Sequence, residues 1–237
     1  MTRKQKISLA TISVLLSALL LISGVMIYRE LSSRQKEKED FDALAELVEI
    51  PVTNPPITSE PPPVETVEPS EATEPEEPLW DLSPLFEQNS ECIGWLCIPD
   101  TAVNYPVMHT PRNPQKYLRM NFYGEYSQSG IPFLDYRCSL DSGNLLIYGH
   151  NMKNGTMFGE LKSYTDPAFC ADYPIIEFQT ADGLLRYTVS EVRITDTSDK
   201  WYEIISGELF EENRCLVLST CYGGGNGRLL IIATEVN

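Results

Sequence analysis

A cysteine and an arginine flank a short glycine-rich segment near the end of this 237-residue chain. The segment LVLSTCYGGGNGRLLIIATEV, residues 216–236, has two apolar stretches joined by a six-residue loop, 222–227, that contains four glycines. Glycine permits the tight, positive-φ turns that close a hairpin. Such a hairpin places Cys221 and Arg228 directly opposite each other, with Cβ atoms about 4.5–5.5 Å apart. The spacing therefore predicts a guanidinium beside a thiol.

A thiol beside a guanidinium has chemical meaning. The thiolate is the nucleophilic form of cysteine, and a neighbouring cation favours it. Arginine stays protonated, so Arg228 could also hold a carbonyl or stabilise an oxyanion. A cysteine nucleophile further needs a proton donor for its leaving group, which is usually histidine. His150 follows the apolar run LLIY and a glycine, where a buried strand would emerge.

Each of these three residues also has a purely structural interpretation. Cys221 could be a small buried hydrophobic residue, Arg228 a solvated charge at a strand end, and His150 a turn residue. Taken singly, each structural interpretation is the more common one. The three together favour a Cys–His–Arg site.

Short apolar or alternating runs between turn signals must position these residues. Their lengths and their β-branched and aromatic content predict strands. Helical candidates are few, at 84–89, 113–120 and 156–164. Many short strands in one domain predict an all-β fold with a few short helices, arranged as a closed barrel or a sandwich. The strand candidates are 94–98, 145–148, 175–179, 185–194, 215–220 and 229–236.

The first 78 residues predict a membrane anchor and a stalk. Residues 7–28 form an uncharged run of 22 residues, and a helix of that length covers about 33 Å, enough to cross a bilayer. The run is long for a cleaved signal peptide, so we expect residues 1–28 to remain as an anchor. Residues 29–78 form the stalk: 30–49 are either a short helix or an irregular charged stretch. Residues 51–78, rich in Pro and Glu, predict a disordered spacer.

Charge excludes one class of partner. The formal net charge is −16, and the segments 1–28, 29–78 and 79–237 carry +3, −10 and −9. Both segments that follow the apolar run are acidic, which argues against a nucleic-acid partner. Basic residues lie on both sides of the apolar run, so charge counting does not orient the anchor. The last segment, 159 residues, is long enough for one folded domain.

The motifs of residues 90–237 together resemble a class B sortase. The combination of GHNM and TMFGELKSY with LSTC and a downstream RLL is specific, although no single motif would be. The resemblance implies an eight-stranded closed β-barrel as the catalytic domain, 79–237, held outside a Gram-positive cell by its N-terminal anchor. The other matching segments are CIGWLCIP (92–99), NYPV (104–107), KYLRMNF (116–122), GIPFLDY (130–136) and RLLIIA (228–233).

The resemblance also implies an activity and its residues. Sortases are transpeptidases that cleave a C-terminal sorting signal after Thr and join that Thr to an amine. For class B the signal is similar to N-P-x-T-x and the amine belongs to a peptidoglycan cross-bridge, with no cofactor. Carried over by position, Cys221 is the nucleophile, His150 the acid and base, and Arg228 the substrate and oxyanion ligand. Leu118 and Ser219 match positions that line the substrate groove.

Two departures leave alternatives open. The connection from Ile194 to Cys215 is shorter than the helix-bearing insertion usual in class B, which bears on the sorting motif. The Cys-to-Arg loop is also short and glycine-rich. A pilin-polymerising sortase with a Lys amine as acceptor would use the same residues. A cysteine hydrolase or an inactive binding module could share the scaffold, although the three intact residues argue against inactivity.

The other polar and sulfur-containing residues are expected to be structural. Five further cysteines are scattered, and we expect single buried thiols, with a Cys92–Cys97 disulfide as the alternative. Two separated histidines and no CxxC argue against a metal site. We expect His109 to lie in a surface loop, and Asp135 with Tyr136 to serve the barrel rather than the chemistry.

Overall fold

The computed structural model describes residues 3–48, 80–201 and 214–236. Helix α1 spans Arg3–Val48 and includes the predicted membrane span. By length and composition α1 could cross a membrane. Residues 30–48 continue the same helix, so the helical alternative for this stretch is the one that the structure has. Residues 49–79, which include the Pro-rich part of the predicted stalk, lie outside the described residues.

Eight strands close into a barrel, as the resemblance implies. The strands are β1 (Cys92–Cys97), β2 (Asn104–Met108), β3 (Phe133–Leu134), β4 (Asn144–Tyr148), β5 (Ile175–Thr180), β6 (Gly183–Asp196), β7 (Cys215–Cys221) and β8 (Gly227–Glu235). Their order around the barrel is β1-β2-β3-β4-β7-β8-β6-β5. Two neighbouring pairs, β2 with β3 and β4 with β7, are parallel, and the other six pairs are antiparallel.

Short helices and turns lie between the strands. Helix α2 spans Ser83–Gln88 and has a proline in its first turn, where the missing N–H costs nothing. Two further helical candidates are single 3₁₀ segments, at Lys116–Leu118 and Glu160–Thr165. Helix α3, Pro167–Asp172, was not predicted from the sequence; the Asp166 side chain caps it by accepting from the Ala168 N–H at 3.0 Å.

The sequences of β7 and β8 are almost continuously apolar because both strands are buried in the core. Residues 215–220 of β7 and 229–233 of β8 are all buried. A strand covered on both faces shows no alternation. The largest fully buried side chains of the barrel domain include Trp95, Tyr117, Phe122, Phe158, Phe178 and Tyr187. The strands are thus rigid supports, and polar chemistry is confined to the barrel edge where they end.

Candidate active site

The hairpin of β7 and β8 places Cys221 opposite Arg228, as the spacing predicts. The connecting loop turns through three left-handed glycines, with φ values of 69°, 83° and 57° at Gly223 to Gly225. The Tyr222 N–H donates to the Gly227 carbonyl at 3.0 Å and closes the loop. Cys221 is exposed although the six preceding residues of β7 are buried. The strand therefore ends by presenting one thiol to solvent beside one guanidinium.

His150 reaches the same edge of the barrel because β4 runs parallel to β7. Tyr148, the last residue of β4, pairs with Ser219. The pairing continues beyond the strand: the Gly149 N–H donates to the Ser219 carbonyl at 3.2 Å, and the Thr220 hydroxyl donates to the Gly149 carbonyl at 2.8 Å. Parallel strands end at the same edge. The residue after Gly149 therefore emerges next to the residue after Thr220.

An asparagine ties the histidine loop to the cysteine. The Asn151 side-chain amide donates to the Cys221 carbonyl at 2.7 Å. The sequence analysis did not identify Asn151 as a site residue, although its position directly after His150 could have indicated one. The bond fixes the peptide that carries the thiol to the loop that carries the imidazole.

The imidazole of His150 is half-buried and hydrogen-bonded. Its Nε2 lies 2.9 Å from the Leu118 carbonyl oxygen. Burial lowers the pKa of His150, the Leu118 carbonyl opposes that effect, and the charge of Arg119 adds to the lowering. The pKa of this ring is therefore below its ordinary value.

These residues line one cleft of about 510 Å³, a size that suits a short peptide segment. The structure brings all five sequence-predicted site residues to its wall: Leu118, His150, Ser219, Cys221 and Arg228. Ser219 is buried, and among the described residues its hydroxyl oxygen has no hydrogen-bond partner. An unsatisfied buried hydroxyl favours a bound ligand that supplies the missing bond.

The other five cysteines differ from Cys221 in exposure. All six cysteines lie in the described residues and are free, so the Cys92–Cys97 alternative is not what the structure has. Burial raises the pKa of Cys92 and of Cys97 to about 11, and that of Cys215 to about 12. Thiols with such values are protonated at neutral pH and are poor nucleophiles. Cys221 alone among the six is exposed.

His109 lies in the loop after β2, as expected, and is half-buried rather than exposed. Its Nε2 is buried without a hydrogen-bond partner among the described residues, and burial lowers the pKa of the ring. The ring also bonds to the backbone of Asp135, which partly opposes that lowering. His109 does not line the cleft.

Asp135 is a buried residue of the cleft wall, and its carboxylate is the centre of an ionic network. Its carboxylate accepts from Arg137 Nε at 2.8 Å, from Arg137 Nη2 at 2.9 Å and from the Tyr148 hydroxyl at 2.8 Å. Burial alone would raise the pKa of Asp135, but the bonds from Arg137 and Tyr148 outweigh it and hold the pKa below its usual value. Asp135 thus links the end of β3 to β4. Asp135 and Tyr136 both line the cleft, so their assignment to the barrel rather than to the chemistry stays a prediction.

Acid should weaken the barrel through Asp135. Because the folded-state pKa is lowered, the carboxylate stabilises the fold above its unfolded pKa of about 4, and this contribution is lost as the pH falls through the folded value. We expect Asp135→Asn to cost about 2–3 kcal/mol at pH 7 and to flatten the decline of unfolding free energy between pH 6 and pH 3. Urea titrations over that range measure both effects. Equal acid slopes for wild type and variant would contradict this role, and the exposed Asp141→Asn serves as control.

Comparisons with known proteins agree with this arrangement. The family model described as Sortase domain matches residues 96–236. Sortase B of Listeria monocytogenes is 36% identical over 127 residues, covering 52% of this chain and 50% of the relative. Sortase B of Staphylococcus aureus is 32% identical over 124 residues, covering 50% of each. The matches thus span about half the length of these curated relatives.

Solved structures extend the likeness to the fold. The Staphylococcus aureus sortase B–substrate complex superposes with a TM-score of 0.58 and 26% identity, covering 65% of this chain and 83% of that chain. Clostridium perfringens sortase B gives a TM-score of 0.57 and 26% identity, with 65% and 98% covered. The likeness therefore includes the barrel that carries the cleft.

Proposed function

This chain belongs to the sortase family, with class B sortases as its relatives, and we propose that it is a membrane-anchored extracellular cysteine transpeptidase. In this proposal it cleaves a C-terminal sorting signal after Thr and transfers the protein to a cell-wall amine. One observation carries the proposal: the exposed Cys221 lies opposite Arg228 in the barrel hairpin, and His150 lines the same cleft.

The first half-reaction forms a thioester. The reacting form has Cys221 as the thiolate and His150 protonated. The thiolate sulfur attacks the Thr carbonyl carbon, and the C–N bond to the following residue breaks. His150 gives a proton to the departing amine nitrogen, because an unprotonated amine anion is a poor leaving group. Arg228 donates to the oxyanion that develops on the carbonyl oxygen. The product is a thioacyl-enzyme and a free C-terminal fragment.

The second half-reaction transfers the acyl group. The incoming amine attacks the thioester, His150 accepts its proton, and Cys221 leaves as the thiolate. Arg228 stabilises the same oxyanion again. Water in place of the amine would give hydrolysis, and the exposure of Cys221 keeps that reaction available.

The substrate class follows from the family. We expect a signal similar to N-P-x-T-x, with Leu118 and Ser219 in the groove that binds it, and an amine of a peptidoglycan cross-bridge as acceptor. Ser219 supports this assignment because it lines the cleft and its buried hydroxyl has no hydrogen-bond partner among the described residues. Much of the connection between β6 and β7, residues 202–213, lies outside the described residues.

Peptide turnover tests the proposal. The full-length chain in detergent micelles is incubated with N-P-x-T-x peptides that vary at the x positions, with or without triglycine or a lysine-bearing peptide. Mass spectrometry should find cleavage after Thr and, with an acceptor, a Thr–amine product. Cleavage that gives only the free acid at every acceptor concentration would assign a hydrolase. Absence of cleavage at any peptide would reject the proposed activity.

The topology is tested on cells. We propose that residues 1–28 remain as the anchor, that 29–78 form the stalk and that 79–237 face outward, because α1 is long and apolar enough to span the bilayer. Protease added to intact cells should then release the barrel domain into the medium. A domain that is protected until the cells are lysed would show that this orientation is wrong.

A further inference from the structure

The imidazole of His150 is held by a backbone carbonyl. Nε2 lies 2.9 Å from the Leu118 oxygen. A carbonyl oxygen can only accept, so the hydrogen of this bond resides on Nε2. A neutral imidazole with its hydrogen on Nε2 has its lone pair on Nδ1. The contact therefore selects one of the two neutral tautomers.

The Leu118 carbonyl is held in place by a close backbone approach. The Ile131 N–H donates to the neighbouring Tyr117 carbonyl at 3.0 Å. Gly130 has a φ of 59°, and a Cβ added there would lie 2.5 Å from the Tyr117 oxygen and 2.7 Å from the Leu118 oxygen. Such distances are steric overlaps, so only glycine leaves these two carbonyls where they are.

A cluster of four side chains, here called the clamp, fixes the orientation of the 3₁₀ segment Lys116–Leu118. Its members are Asn89, Glu91, Lys116 and Tyr117. The Glu91 carboxylate accepts from both the Lys116 ammonium and the Tyr117 hydroxyl. The Asn89 side-chain amide donates to the same hydroxyl at 3.0 Å and to the Phe122 carbonyl at 2.6 Å. The Tyr117 ring is 1% exposed. The residue before Leu118 is therefore immobilised at its ring, its hydroxyl and its carbonyl.

The clamp reaches the cleft through Tyr117 and Leu118, which both line it. Glu91 and Asn89 do not line the cleft, whereas Leu118 and His150 do. Arg119 is the charged group that acts on the imidazole, and the same cleft also holds Arg228 and the paired Arg137 and Asp135. The contact that favours the protonated ring is the hydrogen bond to the Leu118 carbonyl.

Building on the proposed function, we propose that Glu91, Tyr117 and Gly130 are positioning residues that hold the Leu118 carbonyl against Nε2 of His150, so that Nδ1 transfers the proton in both half-reactions. The Nδ1 hydrogen of the imidazolium passes to the leaving amine nitrogen. The Nδ1 lone pair then takes one proton from the incoming amine. Nε2 keeps its hydrogen throughout, and the ring does not need to rotate between the two steps.

Nitrogen NMR of the imidazoles tests this directly. The chain has only two histidines, so ¹⁵N-histidine labelling of the full-length protein in micelles gives two sets of signals. His109 serves as the reference, because its ring bonds to the Asp135 backbone rather than to Leu118. Above the pKa of the ring, His150 should show the tautomer with hydrogen on Nε2. A ring with hydrogen on Nδ1, or an even mixture, would overturn the inference.

Two variants separate positioning from stability. Tyr117→Phe removes the clamped hydroxyl, and Gly130→Ala pushes the Leu118 carbonyl away. Each should mix the His150 tautomers, lower the pKa of that ring and lower kcat about tenfold, with little change in KM. The pH profile of kcat should move to lower pH. Glu177→Gln, which removes a charge pair with Arg186 on β5 and β6, is the matched control.

The outcomes are distinct. If kcat falls while the nitrogen resonances of His150 are unchanged, the clamp has only a structural role and the inference is overturned. If a variant does not fold, the tautomer of His150 in the wild-type protein still tests the inference. An enzyme with hydrogen on Nδ1 that performs transpeptidation would reject only this inference, whereas a chain without turnover would reject the proposed function.

Discussion

Cys221→Ala is expected to abolish turnover, because alanine has no nucleophile with which to form the acyl intermediate. Cys221→Ser should be nearly as inactive, since a hydroxyl is far less acidic than a thiol and Arg228 supplies charge but no base. The side chain is exposed at a strand end, so the midpoint of thermal unfolding should stay close to that of wild type. Peptide cleavage monitored by mass spectrometry, with a melting curve for each variant, measures both.

A second cysteine provides the matched control. Cys170 lies in α3, is partly exposed and does not line the cleft, so Cys170→Ala should retain full turnover. Wild type quenched early should contain a peptide adduct of thioester mass on the fragment that carries Cys221. An adduct on any other cysteine, or full turnover by Cys221→Ala, would remove the mechanism.

Arg228→Lys should lower kcat/KM by about 10²–10³-fold although the positive charge is kept. Loss of one oxyanion donor typically has an effect of this size. A guanidinium presents several donors in a fixed plane, whereas an ammonium is a point charge on a flexible stem and cannot reproduce two parallel hydrogen bonds. Steady-state kinetics with a cleavable peptide, at saturating and limiting amine, measure the loss in each half-reaction.

The control for this variant lies on the next strand. Arg193 of β6 pairs with Glu191 at 2.7 Å on the barrel surface and does not line the cleft. Arg193→Lys should therefore leave kcat/KM unchanged. If Arg228→Lys were as active as this control, charge alone would be sufficient and the two-donor role would be wrong.

The local sequence pattern predicted the long strands because their buried residues form continuous apolar runs. The apolar runs of β4, β7 and β8 gave the right elements, and the six-residue loop gave the right register between Cys221 and Arg228. Strand β2 was missed because Pro106 interrupts its pattern, and strand β3 because it has only two residues. Neither sequence segment is recognisable as a strand unless the strands that pair with it are known.

The contacts that support the site could not be read from the pattern. Leu118 and His150 are 32 residues apart, and Asn151 and Cys221 are 70 apart, yet each pair shares one hydrogen bond. Such contacts depend on how loops pack across the barrel edge, which neither periodicity nor spacing encodes. The same reason explains why the partial burial of His109 was missed: its sequence neighbourhood is typical of a loop, whereas Asp135, whose backbone bonds to its ring, is 26 positions away.

The parallel pairing of β4 with β7 makes the site depend on a contact between distant parts of the chain. Gly149 and Thr220, which meet beyond that pairing, are 71 residues apart, so closing the barrel sacrifices much chain entropy before any contact compensates for it. The strands that bear Cys221 and Arg228 follow β4 along the chain. Until β4 pairs with β7, the loop that carries His150 is not held beside Cys221. An incompletely folded chain therefore contains the three side chains but lacks the site that they form.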